Sequence, residues 1–152
     1  MRAMIGISGL IAFLALLPGA VLAAPSETEV SDAWTTAGGQ SGGEALLYMT
    51  VTNRGSTPDA LTRVRCPVVW ASEPRVTDRG EGGLSSRAVK SIAIPPNTTV
   101  RLEPGGFHVA LLQLKEPLHA GDTFTCAVTF TSGPKDVPVR VAPTAEVPHD
   151  NK

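Results

Sequence analysis

The sequence predicts an all-β domain, a Greek-key β-sandwich or barrel, and three observations carry that expectation. Short segments rich in valine, threonine and leucine recur along the chain, and turn signals built from Gly, Pro, Asn and Asp separate them. After the first residues, no stretch keeps a capped helical period for three turns. About eight short strands at this spacing suit a sandwich or barrel better than any helical or α/β fold.

The elements follow in order. Arg2, an apolar run from Ile5 to Leu17 and the small-residue end Val21-Leu22-Ala23 read as a secretory signal peptide over residues 1–23. The apolar run is too short for a stable membrane anchor. A single domain is expected over residues 24–142, with a polar, flexible tail over 143–152. Strands are expected at Val30 to Trp34, Ala45 to Asn53, Ala60 to Cys66, Val68 to Ala71, Arg87 to Ile94, Thr98 to Leu102, His108 to Leu114, Thr123 to Phe130 and Val137 to Val141. Turns are expected at Asn53-Arg54-Gly55, Asp78-Arg79-Gly80, Pro104-Gly105-Gly106 and Ser132-Gly133-Pro134, among others. Ala45 to Val51 is apolar on both faces until Thr50, as a central strand would be. In Thr123 to Phe130 the residues alternate, so Phe124, Cys126, Val128 and Phe130 share an inward face.

Composition excludes several functions. The 13 basic and 14 acidic side chains nearly balance, and removing the leader takes only Arg2, leaving a formal charge of −2. The charges form no basic stripe, so the sequence gives no support for a nucleic-acid surface. Ser85-Ser86 has no histidine or acid at a recognisable spacing, and neither phosphate loops nor paired carboxylates occur, so no enzyme is expected. Cys66 and Cys126 in an exported chain read first as one disulfide. Thiolate ligation of a metal together with His108 is the alternative, although neither cysteine has a C-x-x-C or C-x-x-H spacing.

The turn Pro104-Gly105-Gly106 delivers His108 onto a strand, where His108 and Ala110 face one side and Val109 and Leu111 the other. A donor at position 110 could share a metal with His108, which alanine cannot do. Val30 to Trp34, Ala45 to Gly55, Ile92 to Pro95, Val100 to His108, Leu114 to Leu118 and Gly121-Asp122, taken as an ordered run of blocks, resemble the periplasmic copper chaperone family PCu(A)C. The resemblance runs from Val30 to about Val141. It implies a cupredoxin-like Greek-key barrel in the periplasm that binds Cu(I). It also implies copper-trafficking partners, a Sco-type protein or a cytochrome c oxidase subunit.

The family's copper motif is a histidine, ten residues, a methionine, twenty-one residues and a His-x-Met pair. Placing its second histidine on His108 puts Arg75, Ser86 and Ala110 at the other three ligand positions. No histidine precedes His108 and no methionine follows Met49, so realignment cannot restore the set. Cu(I) favours thioether and imidazole donors, whereas serine and alanine offer neither and a guanidinium stays charged. The resemblance thus implies a copper protein with weakened or altered coordination, His108 its surviving ligand and Met49 a candidate replacement thioether. The alternative is a metal-free interaction module on the same barrel.

Bland readings stand beside the sharp ones. His108 can simply hydrogen-bond locally, and methionine in an apolar strand is ordinarily core. Glu73, Asp78 and Glu81 can recruit a harder divalent ion beside His108, or form surface ion pairs. His119 is expected to be solvated, His149-Asp150 falls in the tail, and Trp34 and Trp70 are expected to pack at the core or its rim.

Overall fold

A computed structural model describes residues 27–143, together with Gly19. The expected signal peptide and the tail beyond Pro143 lie outside the described residues. Among the described residues ten strands form: β1 (Thr28–Thr36), β2 (Glu44–Asn53), β3 (Asp59–Arg65), β4 (Val69–Gly80), β5 (Gly83–Ala88), β6 (Ile92–Ile94), β7 (Thr98–Leu102), β8 (Phe107–Leu114), β9 (Thr123–Phe130) and β10 (Gly133–Ala142). They join in one hydrogen-bonded sheet of order β5-β4-β8-β2-β1-β10-β9-β3-β6, with β7 also paired to β2. No helix among the described residues is long and apolar enough to cross a membrane.

β2 is the central strand its two-faced apolar pattern predicts. One edge pairs with β1, while the other is divided between β8 over Glu44 to Leu47 and β7 over Met49 to Asn53. The 103–106 turn sits where that edge passes from one partner to the other, and Gly105 takes the positive φ of 83° the turn requires. Leu47, Val109 and Leu111 from one half of the sheet and Leu61, Val128 and Val139 from the other share one hydrophobic cluster, so the sheet folds over a single core. The Cys66–Cys126 disulfide is formed inside that cluster, which settles the choice between bridge and thiolate ligation.

Two expectations differ from the fold. The turn read at Asp78-Arg79-Gly80 is strand, because β4 runs on to Gly80 and reverses at Glu81-Gly82 into β5. Every residue of β5 is exposed, so this hairpin shows no inward apolar alternation; β4–β5 ladder pairing and the Asp78–Arg87 ion pair hold it instead. The strand read over Arg87 to Ile94 accordingly divides into the end of β5 and the short β6.

Asp59 ties three parts of the fold together. It is buried, and its carboxylate accepts from Thr28 Oγ1 (2.6 Å), Ser132 Oγ (2.6 Å), Ser132 N (3.1 Å) and Ala60 N (2.9 Å). Burial alone pushes its pKa up, but the hydrogen bonds from Ser132, Thr28 and Ala60 outweigh it and hold the carboxyl below its ordinary value. A depressed folded-state pKa adds stability above the unfolded value near 3.8 and loses it as pH falls further. Asp59→Asn is therefore expected to cost about 1.5–3 kcal/mol at pH 7 in urea unfolding, with the gap to the natural protein narrowing below pH 4. An equal gap at pH 7 and pH 3 would contradict the ionised role.

Candidate functional site

The site is a row of side chains across four neighbouring strands. Strand register sets Trp34 of β1 beside Tyr48 of β2, Leu46 beside Ala110 of β8, and His108 of β8 beside Arg75 of β4. Trp34 reaches this row through a bulge: between Ser31 and Trp34 the β1–β2 register slips by one residue, at Asp32 with its φ of 50°. The tryptophan thereby leaves Val30's core-directed side and stacks on Tyr48, ring centroids 4.8 Å apart. Tyr48 in turn lies 6.4 Å from the His108 ring, and burial pushes its hydroxyl pKa up.

His108 is only 4% exposed, so its polar atoms need partners within the protein. Nδ1 stands 3.1 Å from the carbonyl of Gly106, which also accepts the Thr77 amide at 3.0 Å. A carbonyl only accepts, so Nδ1 carries a proton, and in the neutral ring Nε2 then keeps its lone pair, an assignment made from the network. The Ser86 hydroxyl donates to Nε2 across 3.3 Å. Arg75 Nη1 donates to the same hydroxyl oxygen across 3.4 Å, and Arg75 Nε and Nη2 both donate to Glu73 Oε1 at 2.7 Å. The hydrogen bonds run in one direction, from Arg75 through Ser86 and His108 to Gly106.

The three residues that the resemblance aligns with ligand positions lie around His108: Arg75 opposite on β4, Ser86 on the adjoining β5, and Ala110 fully buried two residues along the same face. Sequence spacing gave Ser86 no histidine partner, yet the hairpin supplies one from β8. Met49 does not join them. It shares a core-facing side with Leu47, whose register partner is Val109, and His108 lies on the opposite face of the sheet. Met49 is a core residue, so the replacement thioether is withdrawn. Nor do the acids assemble a harder site, because Glu73 is paired with Arg75, Asp78 with Arg87, and Glu81 sits exposed in the hairpin turn. Among the described residues, no group of three or more His, Cys, Asp and Glu side chains is placed to hold a metal ion.

These residues do not fit a Cu(I) ion. Ser86 stands at the nitrogen a copper would use, no thioether lies on this face among the described residues, and the Arg75 guanidinium lies opposite His108. His119 is exposed near the β8–β9 connection, and His149-Asp150 lies outside the described residues.

The comparisons with known proteins bear on this face. The family model described as "Putative lipoprotein LpqE-like" matches residues 28–142. The chain belongs to the LpqE-like family. A relative of this LpqE-like chain, "Putative lipoprotein Lxx21020" from Leifsonia xyli subsp. xyli (strain CTCB07), is 31% identical over 116 residues, covering 74% of this chain and 69% of that protein. Among solved structures, apo-DR1885 from Deinococcus radiodurans is similar with a TM-score of 0.60 and 26% identity, over 96% of this chain and 99% of that one. The copper-bound PCuAC domain from PmoF2 matches with a TM-score of 0.65 and 22% identity, over 79% and 96%. The LpqE-like chain therefore has the PCu(A)C fold, as the block order in its sequence implies, and one of its similar structures is of a copper-bound PCuAC domain.

Proposed function

We propose that this LpqE-like protein is an extracytoplasmic interaction module on the copper-chaperone fold, with its own Cu(I) site replaced by a hydrogen-bonded cluster. One observation carries the reading: the Ser86 hydroxyl closes on His108 Nε2 at 3.3 Å, and Arg75 buttresses that hydroxyl from the other side. The cluster links β8 to the exposed β4–β5 hairpin, so the residues at the motif positions now hold strands together. The leader pattern and the buried disulfide support an oxidising compartment outside the cytoplasm, with the periplasm as the expected location.

A second reading keeps a weakened copper role. The Gly106 carbonyl fixes the His108 ring as an outer partner fixes a metal-bound histidine, so Nε2 becomes the donor atom once Ser86 is displaced. In that reading a Sco-type protein or a cytochrome c oxidase subunit supplies the missing ligands. A Cu(I) competition titration of the oxidised mature protein beside His108→Ala, each alone and with a Sco-type protein added, separates the two. The interaction-module reading predicts curves that coincide and no one-to-one complex. Tight binding lost in the variant would establish copper handling instead.

A further inference from the structure

The sheet does not close between β3 and β4. No ladder joins these strands, and across the gap the Ser72 hydroxyl donates to the Val64 carbonyl. A cleft of about 420 Å³ opens there, lined by Arg63, Arg65, Cys66, Trp70 and Ser72, with the apolar Val64, Val69 and Ala71 completing its wall. Arg63 and Arg65 are two apart on β3, so both project from one face while Val64 turns into the core. Both are exposed, and neither belongs to an ion pair among the described residues. Trp70, expected to pack at the core or its rim, is instead 73% exposed, with Lys115 Nζ 4.4 Å above its ring.

We infer that this cleft is a docking site for an extended, acidic segment of a partner protein. The inference rests on the interaction-module reading and names its partner chemistry. Two guanidinium side chains line a wall that carries no carboxylate, and the Lys115 ammonium lies over the bordering indole, so an anionic occupant is the complement. An extended peptide places alternate side chains about 6.7 Å apart on one face, which matches acids at i and i+2 to Arg63 and Arg65. A bulky aliphatic neighbour then covers Trp70, the residue type that most often anchors a protein interface. A small inorganic anion would leave the indole uncovered. A planar anionic membrane does not enter the recess that Arg63 and Arg65 line, whereas an extended chain does. The surface is separate from the His108 row, since Trp70 is five residues from Arg75 along β4.

The test is fluorescence anisotropy of the full mature protein with a dye-labelled peptide of alternating aspartates flanked by leucines. A peptide of the same composition with adjacent aspartates, and phosphatidylglycerol vesicles, serve as comparisons. The alternating peptide is expected to bind saturably, more weakly as salt rises, and more tightly than the adjacent-acid peptide. The double change Arg63→Ser with Arg65→Ser, and separately Trp70→Ala, is expected to weaken it about tenfold or more with the thermal midpoint retained. No saturable peptide binding, equal binding by the variants, or binding to vesicles alone would overturn the proposal. Peptide failure in a protein that also ignores Cu(I) would remove this surface and leave the module reading standing, whereas tight Cu(I) binding would remove that reading whatever the peptide does.

Discussion

The triple variant Arg75→His, Ser86→Met, Ala110→Met is expected to bind Cu(I) one-to-one, more than about 100-fold tighter than the natural protein. The four motif positions already surround one point, with Arg75 across from His108, Ser86 at 3.3 Å from its Nε2, and Ala110 next along the face. The three changes remove the guanidinium, release the lone pair that Ser86 occupies, and supply two thioethers in place of a hydroxyl and a methyl. The Gly106 carbonyl continues to hold Nδ1, so the imidazole is already oriented. Ala110 is fully buried, and the new methionine needs room that the shorter side chain at position 75 provides. Competition against a Cu(I) chelator reads the gain, and His108→Ala in the triple background should abolish it. Failure of a folded triple variant to exceed the natural protein would mean that the cluster does not mark a former copper site.

Removing the disulfide should have the largest effect on stability. Cys66 and Cys126 are 60 residues apart in sequence, and closing a loop of that length is worth roughly 4 kcal/mol in the chain-entropy model. The bridge is also buried, with Cys126 fully enclosed beside Val128 and Phe130 on β9. Cys66→Ala with Cys126→Ala therefore loses packing as well as the loop constraint. The thermal midpoint is expected to fall by roughly 12–20 °C in a domain of this size. The double-alanine protein and the reduced natural protein should melt close together; a midpoint within a few degrees of the oxidised protein would contradict a structural role.

How legible these features were depended on whether they leave a periodic trace. The β9 alternation of Phe124, Cys126, Val128 and Phe130 placed the core and one end of the disulfide, because a half-buried strand writes its period directly into the sequence. The two-faced apolar run in β2 likewise marked the central strand. The β4–β5 hairpin left no such trace, since both its faces are largely polar, and its turn was displaced to Asp78-Arg79-Gly80.

The site was harder still. Arg75, Ser86 and His108 come from three strands, and only the family motif, not local chemistry, connects their positions. The Glu73–Arg75 pair was one of the alternatives in view, but the Ser86 hydroxyl at Nε2 depends on how the hairpin folds over β8. Met49 illustrates the converse: parity along β2 groups it with Leu47 and Val51, yet only the β2–β8 register shows that His108 faces away from them. Trp34 defeats parity altogether, because the bulge at Asp32 turns it to the other face. Trp70 gave no sequence signal of exposure, as an isolated aromatic at a strand start reads equally as core.

The most direct measurement of the central claim is a long-range ¹H–¹⁵N spectrum of the His108 imidazole in the oxidised protein, recorded before and after one equivalent of Cu(I). The hydrogen-bonded cluster predicts a ring protonated on Nδ1 whose two nitrogen signals stay in place when Cu(I) is added. A change in the Nε2 signal that saturates at one equivalent would show copper displacing Ser86, and would return the protein to the copper carriers.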